Sequence, residues 1–331
     1  MNLRIPYRHL LLSILLLAML TACSQTPSPA AEPSTPESGA EAAAPQTEEE
    51  APATREFEHG KGVSTIPTHP ERIVAIQYTG AMLALGVKPV GADNEWSAYP
   101  LLADEWQGIE HVGDPWTGLN LEKIVELDPD LIVTHVEATY DELSKIAPTL
   151  WIPWLQYNPQ EQITLFGDIL GKQEEAAAWL EQFQTKVEDT RAEVANLIGE
   201  DETVAIFNIR PQNLFIYGDK AMGGYVIYDL LQLHAPELIQ QAVLDEGVGQ
   251  LEVSMELLPD YANADYLFLS VLEDENGTAY ADEVMNSPLF QQLPAVQQGH
   301  VLPLNWDTYF TTDPLSTLKQ LDAFAELLAK E

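Results

Sequence analysis

One phrase is spelled twice in this chain. Leu119 to Val133 reads "LNLEKIVELDPDLIV", and Val253 to Leu269 reads "VSMELLPDYANADYLFL". Each copy has a small polar residue, Asn120 or Ser254, and a glutamate two positions on, Glu122 or Glu256, 134 positions apart. Each then has an apolar run, a Pro-Asp pair, an aspartate (Asp130 or Asp265) and a burst of strand-forming residues. Asn and Ser are favoured helix N-caps, because the side-chain oxygen accepts a bond from an unpaired backbone N–H. A glutamate in the first turn suits the positive end of the helix dipole. Ile124, Val125 and Leu127 in the first copy, and Leu257 and Leu258 in the second, are expected to point inward, with a buried strand following each. One copy is unremarkable in any α/β protein. Two copies ask for two similar lobes.

The rest of the chain has that order. "RIVAIQ" (Arg72 to Gln77) predicts a buried strand, then a helix through Met82 and Leu85, then a short strand at "KPVGA". "TVAIFNI" (Thr203 to Ile209) restarts the pattern, with "NLFIYG" as a second strand and "GYVIYDLLQL" as a helix. Strands alternating with helices imply a parallel sheet covered on both faces. Between the halves, Glu174 to Ile198 has no Pro or Gly, and Trp179, Phe183, Val187, Val194 and Ile198 recur as one apolar stripe. The expected fold class is therefore α/β, two Rossmann-like lobes joined by a single long α-helix. The lobes span 57–172 and 200–331, with the connecting helix at 173–199.

The N terminus reads as an export signal. Arg4 and Arg8 precede an apolar core from Leu10 to Leu20, too short for a comfortable membrane span. Leu20-Thr21-Ala22-Cys23 resembles the bacterial lipobox, which makes residues 1–22 a signal peptide and Cys23 the lipidated first residue. Cys23 is the sole cysteine, so the mature domain has no disulfide to form. Residues 23–56, rich in Pro, Ala, Ser and Glu, cannot bury enough apolar surface to order themselves and read as a tether. Its reach is about 30 Å r.m.s.. The formal charge of −37, from 15 basic and 52 acidic residues, argues against nucleic acid or an anionic membrane surface as a partner.

With these pieces in place the chain resembles the iron-siderophore-binding lipoproteins of bacterial ABC importers, a group with haem- and cobalamin-binding relatives. The matching stretches are "IPTHPERIVAIQYTGAMLALGVKPVGA", "LNLEKIVELDPDLIV", "KIAPT", "VSMELLPDYANADYLFL" and "LPAVQQGHVLPLN". They cover essentially all of residues 57–331. The likeness is greatest to ferric-hydroxamate binders of Gram-positive bacteria, through "YTGAMLALGVKPVGA", "EWS", "NLEKIVELDPDLI" and the "DP" before the last helix. The resemblance implies the helical-backbone periplasmic-binding-protein fold, with lobes that move little about the rigid helix and a ligand held between them. It implies that Glu122 and Glu256 stand on the lobe tops and dock onto arginines of the permease. It implies no enzyme activity and no cofactor, the ligand being a ferric-siderophore complex. It implies a monomer, lipid-anchored on the outer face of the cell membrane.

Ligand contacts are expected on loops at the C-terminal ends of the strands. By that rule the candidates are Tyr78, Trp96, Trp116, Glu137 and Tyr140 from the first lobe. From the second they are Arg210, Lys220, Tyr225, Trp306 and Tyr309. Aromatics supply large, stiff contact area, and an arginine at a strand end can donate a pair of bonds to ligand oxygens. Catecholate and citrate complexes are strongly anionic, whereas ferric hydroxamates carry little charge, so the scarcity of candidate cations favours a hydroxamate. Several Gram-positive hydroxamate binders have Trp and Arg in the loop that here reads "GDKAMGGY". Other classes remain alternatives: a binder of haem, cobalamin or a catecholate or citrate siderophore, a free-metal binder, or an α/β enzyme. A free-metal site needs converging ligands, and His59, His69, His111, His135, His234 and His300 are scattered. An enzyme would be expected to show a G-x-S-x-G, a strand-linked G-x-G-x-x-G or a P-loop, and none is present.

Overall fold

The computed structural model describes residues 53–93, 100–272 and 279–330. Cys23, the signal segment, most of the tether and Trp96 lie outside the described residues.

Each lobe is built on one five-stranded sheet. In the first lobe the strands are β3 (Ile73–Ala75), β4 (Gly91–Ala92), β5 (Glu110–His111), β8 (Leu131–Thr134) and β9 (Thr149–Trp151). Their spatial order is β5-β4-β3-β8-β9, and every pairing is parallel. The side chains alternate across the sheet, as a two-sided burial requires. Ile73, Ala75, Leu131 and Val133 face a core that includes Met82 and Phe166, while Val74, Ile76 and Ile132 face a second core with Ile124 and Leu143.

A hairpin precedes this sheet. β1 (Thr54–His59) pairs antiparallel with β2 (Gly62–Pro67) through a turn at Gly60-Lys61. The last three residues of the stretch expected to be tether, 54–56, thus belong to a strand. The hairpin covers the outer edge of β9: the Trp151 N–H donates to His59 Nδ1 at 3.1 Å, and Ser64 Oγ donates to the Thr149 carbonyl at 3.1 Å. A parallel edge strand is thereby kept from pairing with other chains. A second, short hairpin, β6 (Gly113–Asp114) and β7 (Gly118–Leu119), leads into the first copy of the phrase.

The second lobe departs from the all-parallel expectation. Its strands are β10 (Val204–Arg210), β11 (Asn213–Tyr217), β12 (Gln250–Val253), β13 (Tyr266–Val271) and β14 (Val301–Pro303), in the order β12-β11-β10-β13-β14. β10 and β11 are antiparallel, as are β11 and β12; β10, β13 and β14 are parallel. The reason lies in the chain: only Pro211 and Gln212 separate β10 from β11, and a parallel return needs a crossover of a dozen residues or more.

The helix between the lobes runs Gln173–Val194, roughly 33 Å long. Phe183, Val187 and Val194 are buried in the second lobe, while Trp179 packs against cores of both lobes and stacks on Phe183 at 4.9 Å. Ile198 is buried but lies beyond the helix end. A second brace was not legible in the sequence. The C-terminal helix Pro314–Leu328 packs on the long helix and also on two first-lobe helices, Thr79–Ala84 and Pro159–Ile169. Lys319 pairs with Glu105 at 2.7 Å, and Lys186 pairs with Asp322. The "DP" motif starts this helix. Asp313 accepts from the N–H groups of Leu315 and Ser316, and Pro314 takes the first helical position, where its missing N–H costs nothing. Gly80 is required opposite it, because a Cβ there would stand 1.8 Å from Asp313 Oδ1.

The doubled phrase folds alike in part. In both copies the late aspartate clasps the start of the lobe's first strand. Asp130 accepts from the N–H groups of Glu71 and Arg72, and Asp265 accepts from the N–H and hydroxyl of Thr203. Asn120 caps its helix, Leu121–Glu126, by accepting from the Lys123 N–H at 3.0 Å. Ser254 makes no such cap; its hydroxyl bonds the Glu256 carboxylate instead. There Met255–Leu257 is a tight 3₁₀ turn leading into Leu258–Tyr261, because Pro259 falls inside the element rather than after it. The inward expectation holds for Ile124 and Leu258, which are fully buried, and fails for Val125 and Leu257, which are exposed.

Candidate functional site

The strand ends of both sheets open onto one cleft of about 860 Å³, within the usual range for small-molecule sites. Its walls are mostly aromatic and aliphatic. Of the sequence candidates it brings together Tyr78, Trp116, Arg210, Lys220, Tyr225 and Trp306.

Tyr78 follows β3. Its ring is buried, and its hydroxyl donates to the carbonyl of Ile152 at 2.8 Å, so burial pushes the phenol well above its ordinary range. Gln77, beside it, lines the cleft with φ of 84°, a left-handed conformation that a non-glycine residue adopts only under constraint. Tyr225 begins a helix, Tyr225–Leu230, wound wider than an α-helix: the Leu231 N–H reaches the Val226 carbonyl at 2.8 Å. Wide turns of this kind recur at functional sites. The Tyr225 hydroxyl donates to Gln160 Oε1 at 3.2 Å, a hydrogen bond from the second lobe to the first.

Arg210 ends β10 and is held on all sides. Its Nε donates to Asn208 Oδ1 at 2.9 Å, and Nη2 donates to the Tyr217 hydroxyl and to Gln250 Oε1. Its guanidinium lies over Phe215 at 4.3 Å and over Trp306 at 5.4 Å. Nη1 has no protein acceptor among the described residues, so its N–H groups are available to the cleft. Lys220 lines the cleft too, but its ammonium donates to the Gly247 carbonyl.

Three candidates belong elsewhere. Glu137 pairs with Lys61 of the β1–β2 hairpin at 2.5 Å, and Tyr140 packs its ring 5.7 Å from that of His59. Both follow β8, but beyond His135 the chain turns to the β1–β2 hairpin, and neither residue lines the cleft. Tyr309 is buried in the second-lobe core against Gly223. In the turn Trp306–Tyr309 the cleft side is taken by Trp306 and Phe310, four residues apart and stacked at 4.6 Å. Trp96 is outside the described residues.

Other lining residues escaped the sequence analysis. The stretch "LWIPW" (Leu150 to Trp154) has the apolar composition of a strand, but β9 stops at Trp151 and Pro153 turns the chain. Trp154 and Leu155 therefore stand at a strand end, by the same rule that selected Tyr78. Leu155 has φ of 58° and is half exposed, and Trp154 meets Trp116 edge-on at 5.6 Å. The loop "GDKAMGGY" divides its residues: Asp219, Lys220, Ala221 and Tyr225 line the cleft, while Met222 is fully buried and a Cβ on Gly224 would strike the Gly218 carbonyl.

The charges lining the cleft are four carboxylates, Glu161, Asp219, Asp229 and Asp313, against Arg210 and Lys220. Desolvation, then the Asp219 charge, raises the Asp229 carboxyl to about 6. Burial raises that of Asp313, against the N–H groups it accepts from. A site that already disfavours its own anions suits a ligand of little negative charge. Among the described residues no group of three or more His, Cys, Asp or Glu side chains converges on a metal position. No helix among them is long and apolar enough to cross a membrane.

Glu122 and Glu256 are both exposed. The Asn120 N–H donates to the carbonyl of Val112, just past the end of β5, which puts Glu122 at the strand-end edge of its sheet. Val253, at the end of β12, is level with Leu214, which faces Ile209 near the end of β10, so Glu256 stands at the same edge of the other sheet. Both carboxylates thus lie on the edges that carry the cleft.

Two α/β lobes joined by one long helix, with a cleft at the strand ends, are the architecture of a solute-binding protein. The chain belongs to the periplasmic binding protein family, whose signature spans residues 73–307. It is 33% identical over 320 residues to the iron(3+)-hydroxamate-binding protein YxeB of Bacillus subtilis, covering 96% of this chain and 94% of that one. A B. subtilis protein described as the periplasmic binding component of a Fep/Fec-like ferrichrome ABC transporter superposes with a TM-score of 0.73. It is 30% identical, with 83% of this chain and 100% of that one covered. Staphylococcus aureus FhuD2 with bound ferrioxamine B gives a TM-score of 0.68 at 25% identity, over 78% of this chain and 98% of that one.

Proposed function

We propose that this chain captures a ferric hydroxamate siderophore in the inter-lobe cleft and delivers it to the permease of an ABC importer. The observation that carries the ligand class is the charge of the cleft: a guanidinium held in an aromatic frame, in a lining with four carboxylates and two cations. A tri-anionic catecholate or citrate complex would face net repulsion there, whereas a near-neutral hydroxamate would not. The chelator supplies the iron ligands, and the protein supplies shape, aromatic contact and hydrogen bonds to oxygens at the chelate's rim. The names of the relatives support the same class.

Glu122 and Glu256 are the proposed permease contacts, as two carboxylates at fixed separation on a stiff frame. Cys23 is the proposed lipid anchor, and residues 24–53 the leash that keeps the domain at the outer face of the membrane. A tryptophan-fluorescence titration tests the ligand assignment, since Trp116, Trp154 and Trp306 line the cleft. A ferric trihydroxamate is expected to quench strongly and saturably, with ferric enterobactin, ferric citrate and haem at least tenfold weaker. Equal or tighter binding of any of those three would reject the hydroxamate assignment.

A further inference from the structure

The four carboxylates that line the cleft are not alike. Glu161 accepts from the Asn158 N–H at 2.9 Å, and Asp313 accepts from the N–H groups of Leu315 and Ser316. Both serve helix starts. Asp219 and Asp229 have no hydrogen bond or ion pair among the described residues. Asp219 is partly buried, and its Oδ1 is wholly buried without a partner; Asp229 stands exposed in the same cleft. The chain brings the two together. Asp219 follows β11, and Asp229 lies in the wide helix Tyr225–Leu230. The start of that helix presses on the loop so closely that a Cβ on Gly224 would stand 3.1 Å from the Asp219 Cα. The Asp229 carboxyl registers its neighbour: desolvation, then the Asp219 charge, lifts it to about 6, which still leaves it ionised at neutral pH. The cations of the cleft do not answer these charges. Arg210 is held by Asn208, Tyr217 and Gln250. The Lys220 ammonium, although next in sequence to Asp219, turns to the Gly247 carbonyl. A fold gains nothing from two like charges side by side, one with a buried oxygen that meets no donor. The arrangement suits a cation that arrives with the ligand.

We propose that Asp219 and Asp229 form a cation subsite of the cleft, which takes the protonated amine of a ferric hydroxamate that carries one. This inference rests on the ligand class proposed above and narrows it. The three N–H donors of a primary ammonium can serve both carboxylates, through charge-assisted bonds about twice as strong as neutral ones. Its charge also relieves the repulsion between the two aspartates, and the apolar walls leave that attraction weakly screened. Arg210 and the aromatic frame hold the chelate, and the aspartates read its substituent. A bare metal ion is a poorer occupant. Hard divalent cations take about six or more oxygen ligands, and among the described residues no three His, Cys, Asp or Glu side chains converge.

The test compares two ligands that share one iron centre. Ferrioxamine B has a free amine that is protonated at neutral pH, and its N-acetyl derivative has no charge at that position. Both are titrated into the mature chain at neutral pH by isothermal calorimetry. The parent is expected to bind the amine form roughly tenfold more tightly, a difference of about 1.4 kcal/mol. The Asp219→Asn/Asp229→Asn variant should bind the two alike, within about twofold, with thermal melts to confirm that it is folded. Asp229→Asn alone, at an exposed position that makes no hydrogen bond among the described residues, should lose part of the preference. Equal binding of the two ligands by the parent overturns the subsite and leaves the hydroxamate reading standing. A preference that survives in both variants overturns the assignment to these aspartates. If neither ligand binds, ferrichrome, a trihydroxamate without an amine, separates the causes: its binding means that only the subsite is wrong, and its failure rejects the hydroxamate reading as well.

Discussion

Arg210→Ala is expected to weaken binding of a ferric trihydroxamate by ten- to a hundredfold. The guanidinium is placed before any ligand arrives: Asn208, Tyr217 and Gln250 take its Nε and Nη2 hydrogens, and Phe215 and Trp306 flank its plane. No ordering entropy is then left to spend on it when the ligand binds. Hydrogen bonds from a charged donor contribute about 1.5–3 kcal/mol, which corresponds to roughly ten- to a hundredfold in Kd. Arg210→Lys should recover only part of the loss, because the three donors of an ammonium cannot serve Asn208, Tyr217, Gln250 and the ligand at once. Isothermal titration of the three proteins checks this, with thermal melts to confirm that each is folded. Unchanged affinity in Arg210→Ala would remove the residue from ligand recognition.

Removing both proposed docking carboxylates should separate capture from delivery. The Glu122→Ala/Glu256→Ala variant is expected to bind siderophore within about twofold of the parent, since neither residue lines the cleft. Uptake of radiolabelled iron by cells carrying it should fall to background. Both carboxylates are exposed, and Glu256 accepts from its own backbone N–H and from the Ser254 hydroxyl, which lowers its pKa and keeps it charged. Two separated charges on a braced frame give orientation as well as attraction. Each single variant should retain measurable uptake, with a shallower salt dependence than the parent's because one of the two screened ion pairs is gone. Full uptake by the double variant would refute the docking role.

Much of the fold was legible because burial writes itself into periodicity. The doubled phrase located both lobes, and the Pro- and Gly-free stretch located the rod between them. Three features were missed for identifiable reasons. Thr54–His59 carries three charged residues and reads as a continuation of the acidic tail, although Gly60-Lys61-Gly62 marks a turn and Phe57 is buried. The antiparallel β10–β11 pair was readable from its two-residue connection, but the repeat suggested a parallel sheet. The packing of the C-terminal helix on the first lobe depends on contacts far apart in the chain, such as Lys319 with Glu105, which no local pattern announces.

The site was legible by rule rather than by residue. Placing ligand contacts at strand ends found Tyr78, Arg210 and Trp306, and the same rule would have found Trp154 had Pro153 been taken as the end of its strand. It failed at Glu137 and Tyr140, where a strand end lies beside an edge covered by another hairpin. It failed at Tyr309, where one turn divides its residues between cleft and core. Val125 and Leu257 show the converse: each fits an apolar pattern, but the inward position is taken by its neighbour, Ile124 or Leu258.

The most direct test is where the iron sits. Crystals of the mature chain grown with a ferric trihydroxamate, with data collected at the iron absorption edge, should show one strong anomalous peak inside the cleft. It should lie between Arg210 and Trp306 on one wall and Tyr78 and Trp154 on the other. A peak outside the cleft, or none with ligand at saturation, would contradict capture of an iron chelate between the lobes.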